Sequence, residues 1–192
     1  MTGKDQQDSI SHKCHTICRT LKTEFEWRVD GIRSLMKQPA KFKIESSEFS
    51  DLKGNPWQID LYPKGQSGGK TSDNHIGIYV VSKFKRTDAN IWANSVTVQY
   101  ELQVYAGNHT EGTLLKSREA SKKFEGVQQS WGWSNFVSHE ELLGHLKASG
   151  EDVILVHCSL TMLDVQKVET VEPLPEVKNN LVEKLCQKCC IM

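Results

Sequence analysis

The strongest constraint on the fold is the strict alternation of apolar and polar side chains from Ser95 to Ala106. Val, Tyr or Leu occupies every second position between Val96 and Val104, and Thr, Gln or Glu occupies the positions between them. Successive side chains of an extended chain point to opposite faces, so this segment has one apolar and one polar face. The pattern predicts a strand of an antiparallel sheet with one solvated face.

Shorter segments with the same two-residue period flank this strand and are separated by residues typical of turns. They begin near Phe25, Phe42, Trp57 and Ile76, and a nearly continuous apolar run starts at Val153. The period changes only after Ser138, which precedes two glutamates and an apolar stripe and so predicts a capped helix that ends at Ser149-Gly150. Many short strands with one short helix indicate an all-β sandwich.

Composition limits the possible classes of function. The 24 basic and 24 acidic residues cancel, so no net field recruits nucleic acid or an anionic membrane. No segment is long and apolar enough for a membrane span, and the polar N-terminus lacks the apolar core of a secretory signal. Five of the six cysteines cluster near the two ends of the chain rather than across its body, which predicts a cytoplasmic protein without a disulfide framework.

The chain divides into three parts. Residues 1–22 are polar without a clear period and predict a flexible or helical lead. Residues 23–167 form the folded domain. Residues 168–192 comprise a proline-containing linker and a tail, in which Glu176 to Lys188 has the spacing of a short amphipathic helix.

No catalytic, cofactor or metal signature is present, so we expect a non-enzymatic protein. Four zinc-type ligands, His12, Cys14, His15 and Cys18, fall too close together for the usual two pairs divided by a loop. His157 and Cys158 are neighbours in a strand, so their side chains point to opposite faces and cannot form a catalytic dyad.

The segment WGWSNF, from Trp131 to Phe136, carries two large aromatic residues around one glycine. In a strand Trp131 and Trp133 point to the same face. A pair of this size is either buried or offered to a partner, because soluble proteins rarely leave such an apolar patch unused.

Nine segments, in this order, give a family resemblance: FEWRV, FKIESSEFS, WQIDLYPKG, IGIYVV, YELQVY, KKF, WGWSNFV, EELL and VILVHCSL. From about Glu24 to Val165 the chain resembles a MATH (TRAF-like) domain, with a pattern most similar to the speckle-type POZ proteins. The resemblance implies an eight-stranded antiparallel β-sandwich that binds short extended peptides in a groove lined by aromatic residues.

Carried over by position, the resemblance implies that the peptide-binding groove is lined by Tyr79, Tyr100, Lys122, Trp131 and Trp133. Lys122 stands where the family has an aromatic residue, and it favours an acidic side chain on the peptide. Trp131 is the better candidate for the groove wall, whereas Trp133 is open between groove and core.

The last four residues, Cys189 to Met192, fit a prenylation signal whose terminal Met favours farnesyl. Cys189 is the predicted farnesyl site, and Cys186 is placed to carry a palmitoyl chain as the second membrane signal. The alternatives are an unmodified tail or a fragment of a longer protein.

The sequence thus predicts an adaptor that captures linear peptides of partner proteins, tethered by lipid at the cytoplasmic face of a membrane. One alternative is a structural protein whose aromatic face is a self-interface that drives oligomerisation. Another is a substrate-recruiting subunit that serves a ubiquitin ligase through a partner.

Overall fold

The computed structural model describes residues 10–66, 73–84, 95–107, 112–125 and 128–173, and the side chains at 10–13 and 167–173 lie outside this description. The chain forms two compact units. One is Arg19–Asp164, and the other combines Met1–Cys18 with Val165–Met192.

The described residues form nine strands and two helices, in the order β1 Ile10–Asp30, α1 Ile32–Leu35, β2 Ile44–Glu45, β3 Phe49–Ser50, β4 Pro56–Tyr62, β5 His75–Ser82, β6 Ser95–Ala106, β7 Thr113–Glu125, β8 Ser130–Ser138, α2 His139–Ser149 and β9 Val153–Pro173. The resemblance implied eight strands, and two of the nine contain only two residues each.

The strands form two sheets. One has the order β1-β9-β6-β7, and the other has the order β2-β4-β5-β8, with β3 also paired to β4. The strand pairs of the second sheet, and both pairs of β6, are antiparallel. The all-β antiparallel sandwich expected from the sequence is therefore confirmed.

The core lies between the facing sides of the two sheets. The alternation in β6 places Val98, Tyr100, Leu102 and Val104 in the interior, each at most 1% exposed. Trp57 of β4 lies edge-on to Phe124 of β7 at 4.9 Å between ring centroids. Its indole N–H donates to Asp51 Oδ2 at 2.8 Å, so the one polar group of this buried ring is paired.

Helix α2 has the boundaries that the sequence predicted. The Ser138 hydroxyl accepts the Glu141 backbone N–H at 3.2 Å, and Gly150 ends the helix with a left-handed φ of 74°. Leu142 and Leu146 lie one turn apart and are buried, which fixes the helix against the sandwich.

The structure differs from the sequence predictions at both ends of the domain. Residues 10–22, predicted as a flexible or helical lead, belong to β1, and residues 168–173, predicted as linker, belong to β9. The two strands are neighbours in one sheet. Their main-chain hydrogen bonds do not require alternating apolar side chains, so a polar sequence gives no two-residue period from which the strands could be predicted. The four-residue α1 was also missed, because it is too short to show a helical period.

The predicted tail helix at 176–188 and the two lipidation sites, Cys186 and Cys189, lie outside the described residues. No helix of the described part is long and apolar enough to cross a membrane.

Candidate functional site

One side of the sandwich is bounded by the last strand of each sheet. Strand β8 ends the five-stranded sheet and β7 ends the four-stranded sheet. Side chains of the two strands meet there, since the Lys122 Nζ of β7 lies 4.6 Å from the ring centroid of Trp131 on β8. We call this side, formed by β7 and β8, the open edge.

Among the described residues, no further strand pairs with the outer main chain of β8. The Ser82 N–H of β5 donates to the Gln129 carbonyl oxygen at 2.9 Å, which starts the ladder between the two strands. In an antiparallel pair, every second residue directs its backbone N–H and C=O toward the partner strand. Gln129 does so, and therefore Trp131 and Trp133 also direct these groups toward β5. The N–H and C=O groups of Ser130 and Gly132 therefore point away from the sheet.

Gly132 allows β8 to pair closely with β5. A Cβ atom at this position would lie 2.0 Å from the Ile78 carbonyl oxygen and 2.6 Å from the Tyr79 Cα. Both contacts are with main chain, which cannot rotate aside, so any side chain here would force the strands apart. The glycine also leaves the outer face beside Tyr79 bare.

Trp131 lies on the inner side of β8 yet remains accessible. It pairs with Val80, which faces the core, but the open edge leaves the Trp131 side chain 40% exposed. The ammonium of Lys122 lies over its ring, within the range of a cation–π interaction. Trp131 and Lys122 are thus brought together as the resemblance implied.

Trp133 faces the same side and is partly buried against the core. Its ring lies 5.7 Å from the rings of Tyr100 and Phe136. The guanidinium carbon of Arg118 lies 5.8 Å from its centroid. Trp133 therefore contacts both the core and Arg118 at the open edge, and its place in a peptide-binding groove stays a prediction.

Tyr100 does not line the open edge, contrary to the sequence prediction. It is 1% exposed and packs against Phe124 and Trp133 in the core. Burial raises the pKa of its hydroxyl to about 12. The physical reason is its place in the alternation of β6, where it shares the inward face with Val98 and Leu102.

Tyr79 lies on the opposite face of the five-stranded sheet from Trp131. It pairs with Asp60 and Gly132, both at outer-face positions. Its ring is half-buried and lies edge-on to Tyr62 at 5.6 Å between centroids. Burial raises the pKa of its hydroxyl, and a hydrogen bond with Ser134 opposes that rise. Tyr79 and Trp131 therefore flank the edge of β8 from its two sides.

Arg118 is a residue of the open edge that the sequence prediction missed. It lies four residues before Lys122 on β7, and the two pair with the core residues Leu102 and Val98. The signal that could have found it was the two-residue period, which places Arg118, Ala120 and Lys122 on one face.

Cys158 is fully buried, as predicted for a core residue, and burial raises the pKa of its thiol. Across the described part of the chain, no three His, Cys, Asp or Glu residues converge as metal ligands.

Comparison with known proteins gives the family. The family model described as "MATH domain" matches residues 24–160. Among curated proteins no sequence matches significantly. Among solved structures the chain is similar to TRAF5 of Notothenia coriiceps, with 16% identity and a TM-score of 0.44 over 79% of this chain and 77% of that one. The matched residues include all of β2 to β8, the last part of β1 and the first part of β9, and the chain belongs to the MATH domain family.

Proposed function

We propose that this protein is a non-enzymatic adaptor whose MATH domain captures short linear peptides of partner proteins along the open edge. MATH domains are protein-interaction modules. The observation that carries the peptide proposal is the exposed Trp131 beside the outer main chain of β8, with Lys122 above its ring.

The geometry supports addition of the peptide as a further strand. An extended segment beside β8 gains main-chain hydrogen bonds from Ser130 and Gly132, whose N–H and C=O groups point outward. Alternate side chains of that segment would face Trp131 on the inner side and Tyr79 on the outer side. Tryptophan and tyrosine suit this role because each buries a large area at a small cost in conformational entropy.

The test is selection of a phage-displayed library of random nonapeptides on the full chain, followed by titration of the selected peptides. We expect selected peptides to shift the tryptophan fluorescence of the wild type. Trp131→Ala should weaken binding roughly thirtyfold, the effect of losing an aromatic hot spot of about 2 kcal/mol.

The matched control is Leu143→Ala, which removes an apolar side chain of α2 with the same 40% exposure. It should bind as the wild type does, and the thermal melts of both variants should show that they are folded. Full binding by a folded Trp131→Ala variant would contradict the groove. A stable oligomer in light scattering that Trp131→Ala dissociates would instead favour the self-interface.

Membrane tethering, a cytoplasmic location and service to a ubiquitin ligase through a partner remain predictions from the sequence. The tether would require farnesyl on Cys189 and is supported by the terminal motif with Cys186 nearby. Intact mass of protein from eukaryotic cells tests it, because farnesylation with loss of the last three residues changes the mass, and Cys189→Ser would prevent that change.

A further inference from the structure

Two basic side chains project from β7 over the aromatic rings of the open edge. Lys122 lies over Trp131, and the Arg118 guanidinium carbon lies 5.6 Å and 5.8 Å from the centroids of Phe136 and Trp133. Each ring attracts a cation electrostatically through its face, so the two charges are held at the edge instead of extending into solvent.

No carboxylate neutralises this pair within the described part of the chain. Neither residue has an ion pair with an Asp or Glu there, and the one side-chain hydrogen bond found for Arg118 goes to the Asn135 amide oxygen at 3.4 Å. The nearby Lys123, by contrast, points to the other face of β7 and pairs with Glu125. Within the described part of the chain, the charges of Lys122 and Arg118 at the open edge therefore have no paired carboxylate, although the whole chain is neutral.

The spacing of the two cations limits what they can bind. Their Cα atoms are four residues apart on one face of β7, roughly 13 Å in a strand. The rings beneath them, Trp131 and Trp133, are only two residues apart, roughly 7 Å. In a peptide strand beside β8, side chains on one face are about 7 Å apart at two residues and about 13 Å apart at four residues. Two peptide residues with either separation can therefore reach both cations, whereas adjacent residues point to opposite faces and cannot.

We propose that the open edge selects acidic peptides, with Asp or Glu at two positions two or four residues apart bound by Lys122 and Arg118. This inference rests on the proposed function and specifies its partner. A carboxylate is the complementary group because it accepts charge-assisted hydrogen bonds from both basic side chains, and bidentate ones from arginine.

The test compares three forms of the full chain against the random nonapeptide library. They are the wild type, the double variant Arg118→Gln/Lys122→Gln, and the control Lys123→Gln/Lys147→Gln. The control removes the same charge from two exposed residues whose side chains do not lie over the aromatic rings, because Lys123 points to the other face of β7 and Lys147 is on α2. The thermal melt of each form shows whether it is folded.

The wild type and the control should select peptides enriched in Asp or Glu at i and i+2 or at i and i+4. The Arg118→Gln/Lys122→Gln variant should lose that enrichment and bind the wild-type peptides roughly 10- to 100-fold more weakly, as expected for hydrogen bonds to charged groups. Replacing the two acids of a selected peptide by Gln or Asn should weaken its binding to the wild type by a similar factor.

Failure of this inference can be distinguished from failure of the proposed function. Peptides that depend on Trp131 but show no acidic enrichment would overturn the acidic specificity and leave peptide capture standing. Acidic peptides that bind both double variants equally would show that these two residues do not read the acids. If no peptide depends on Trp131, the proposed function fails and this inference fails with it.

Discussion

At the scale of single residues, Gly132 is the position where sequence and fold are most tightly linked. Any added Cβ would meet the main chain of β5 at 2.0 Å. We therefore expect Gly132→Ala to separate β8 from β5 and to destabilise the domain by about 2 kcal/mol or more, at the upper part of the range for overpacking. Urea unfolding monitored by tryptophan fluorescence measures the loss.

The control for this prediction is Gly144→Ala on α2. A methyl group added at Gly144 would have no atom of the described residues outside its own helix within 4 Å, and alanine favours a helix. This variant should be as stable as the wild type or more stable. Equal stability of Gly132→Ala and the wild type would mean that β5 and β8 tolerate a wider spacing than the structure has.

His139, at the start of α2, links stability to pH. Its Nε2–H donates to the Pro63 carbonyl oxygen at 2.6 Å, and burial lowers its pKa below the ordinary value. The unfolded chain therefore binds a proton more readily than the folded one, and stability should fall as the pH falls through about 6.5.

The measurement is urea unfolding at about pH 8 and about pH 5.5, on either side of the ordinary histidine pKa. His139→Gln should lose less stability between the two conditions than the wild type. His145→Gln, an exposed position on the same helix, should behave like the wild type. An identical pH dependence in His139→Gln and the wild type would exclude His139 as the cause.

At this scale the structure brings Trp131 and Lys122 together at the open edge, where their role in peptide binding stays a prediction, and it buries Tyr100 in the core. The alternation of β6 places Tyr100 among the core residues, whereas the family resemblance implied a position in the groove. The two-residue period places Arg118 on the same face of β7 as Lys122, and the order of strands in the two sheets turns that face toward β8.

At the scale of elements, the proposed mechanism depends on the main chain of β8. Ser130 is its first residue, and its N–H points away from β5, so proline there should be tolerated. Ser130→Pro removes one donor that the added peptide strand would use. We expect binding roughly five- to tenfold weaker, the effect of one hydrogen bond of about 1 kcal/mol.

The matched variant is Ser130→Ala, which removes the hydroxyl and keeps the N–H. It should bind selected peptides as the wild type does, and both variants should melt near the wild-type temperature. Equal binding by Ser130→Pro and Ser130→Ala would mean that the peptide accepts no hydrogen bond from the Ser130 N–H.

The strands that sequence predicted well are those with one buried face. The alternation of β6 and the cap of α2 each have a local physical cause and were found with their boundaries. The sequence did not predict the start of β1 or the end of β9. Residues Cys14 to Thr20 are mostly exposed, and main-chain pairing there does not require apolar side chains. The two-residue strands β2 and β3 are too short to show any period.

At the scale of the whole molecule, the core lies within the unit Arg19–Asp164. Every buried apolar side chain of the described residues falls between Val29 and Met162, and the family match spans residues 24–160. A chain shortened to residues 19–164 keeps all of these side chains and has the size of an ordinary single domain.

We therefore expect residues 19–164 to unfold cooperatively, with a melting temperature within about 5 °C of the full chain, equivalent to no more than about 1–2 kcal/mol for a domain of this size. The near-UV circular dichroism should match that of the full chain, because Trp57 and the rings packed on it are retained.

A second truncation to residues 31–164 is the control. It removes β1 from the edge of the four-stranded sheet, together with Val29 and the half-buried Phe25 and Trp27, and should lose cooperative unfolding. If the 19–164 chain also lost cooperativity, residues beyond the compact unit would have to contribute to the stability of the sandwich.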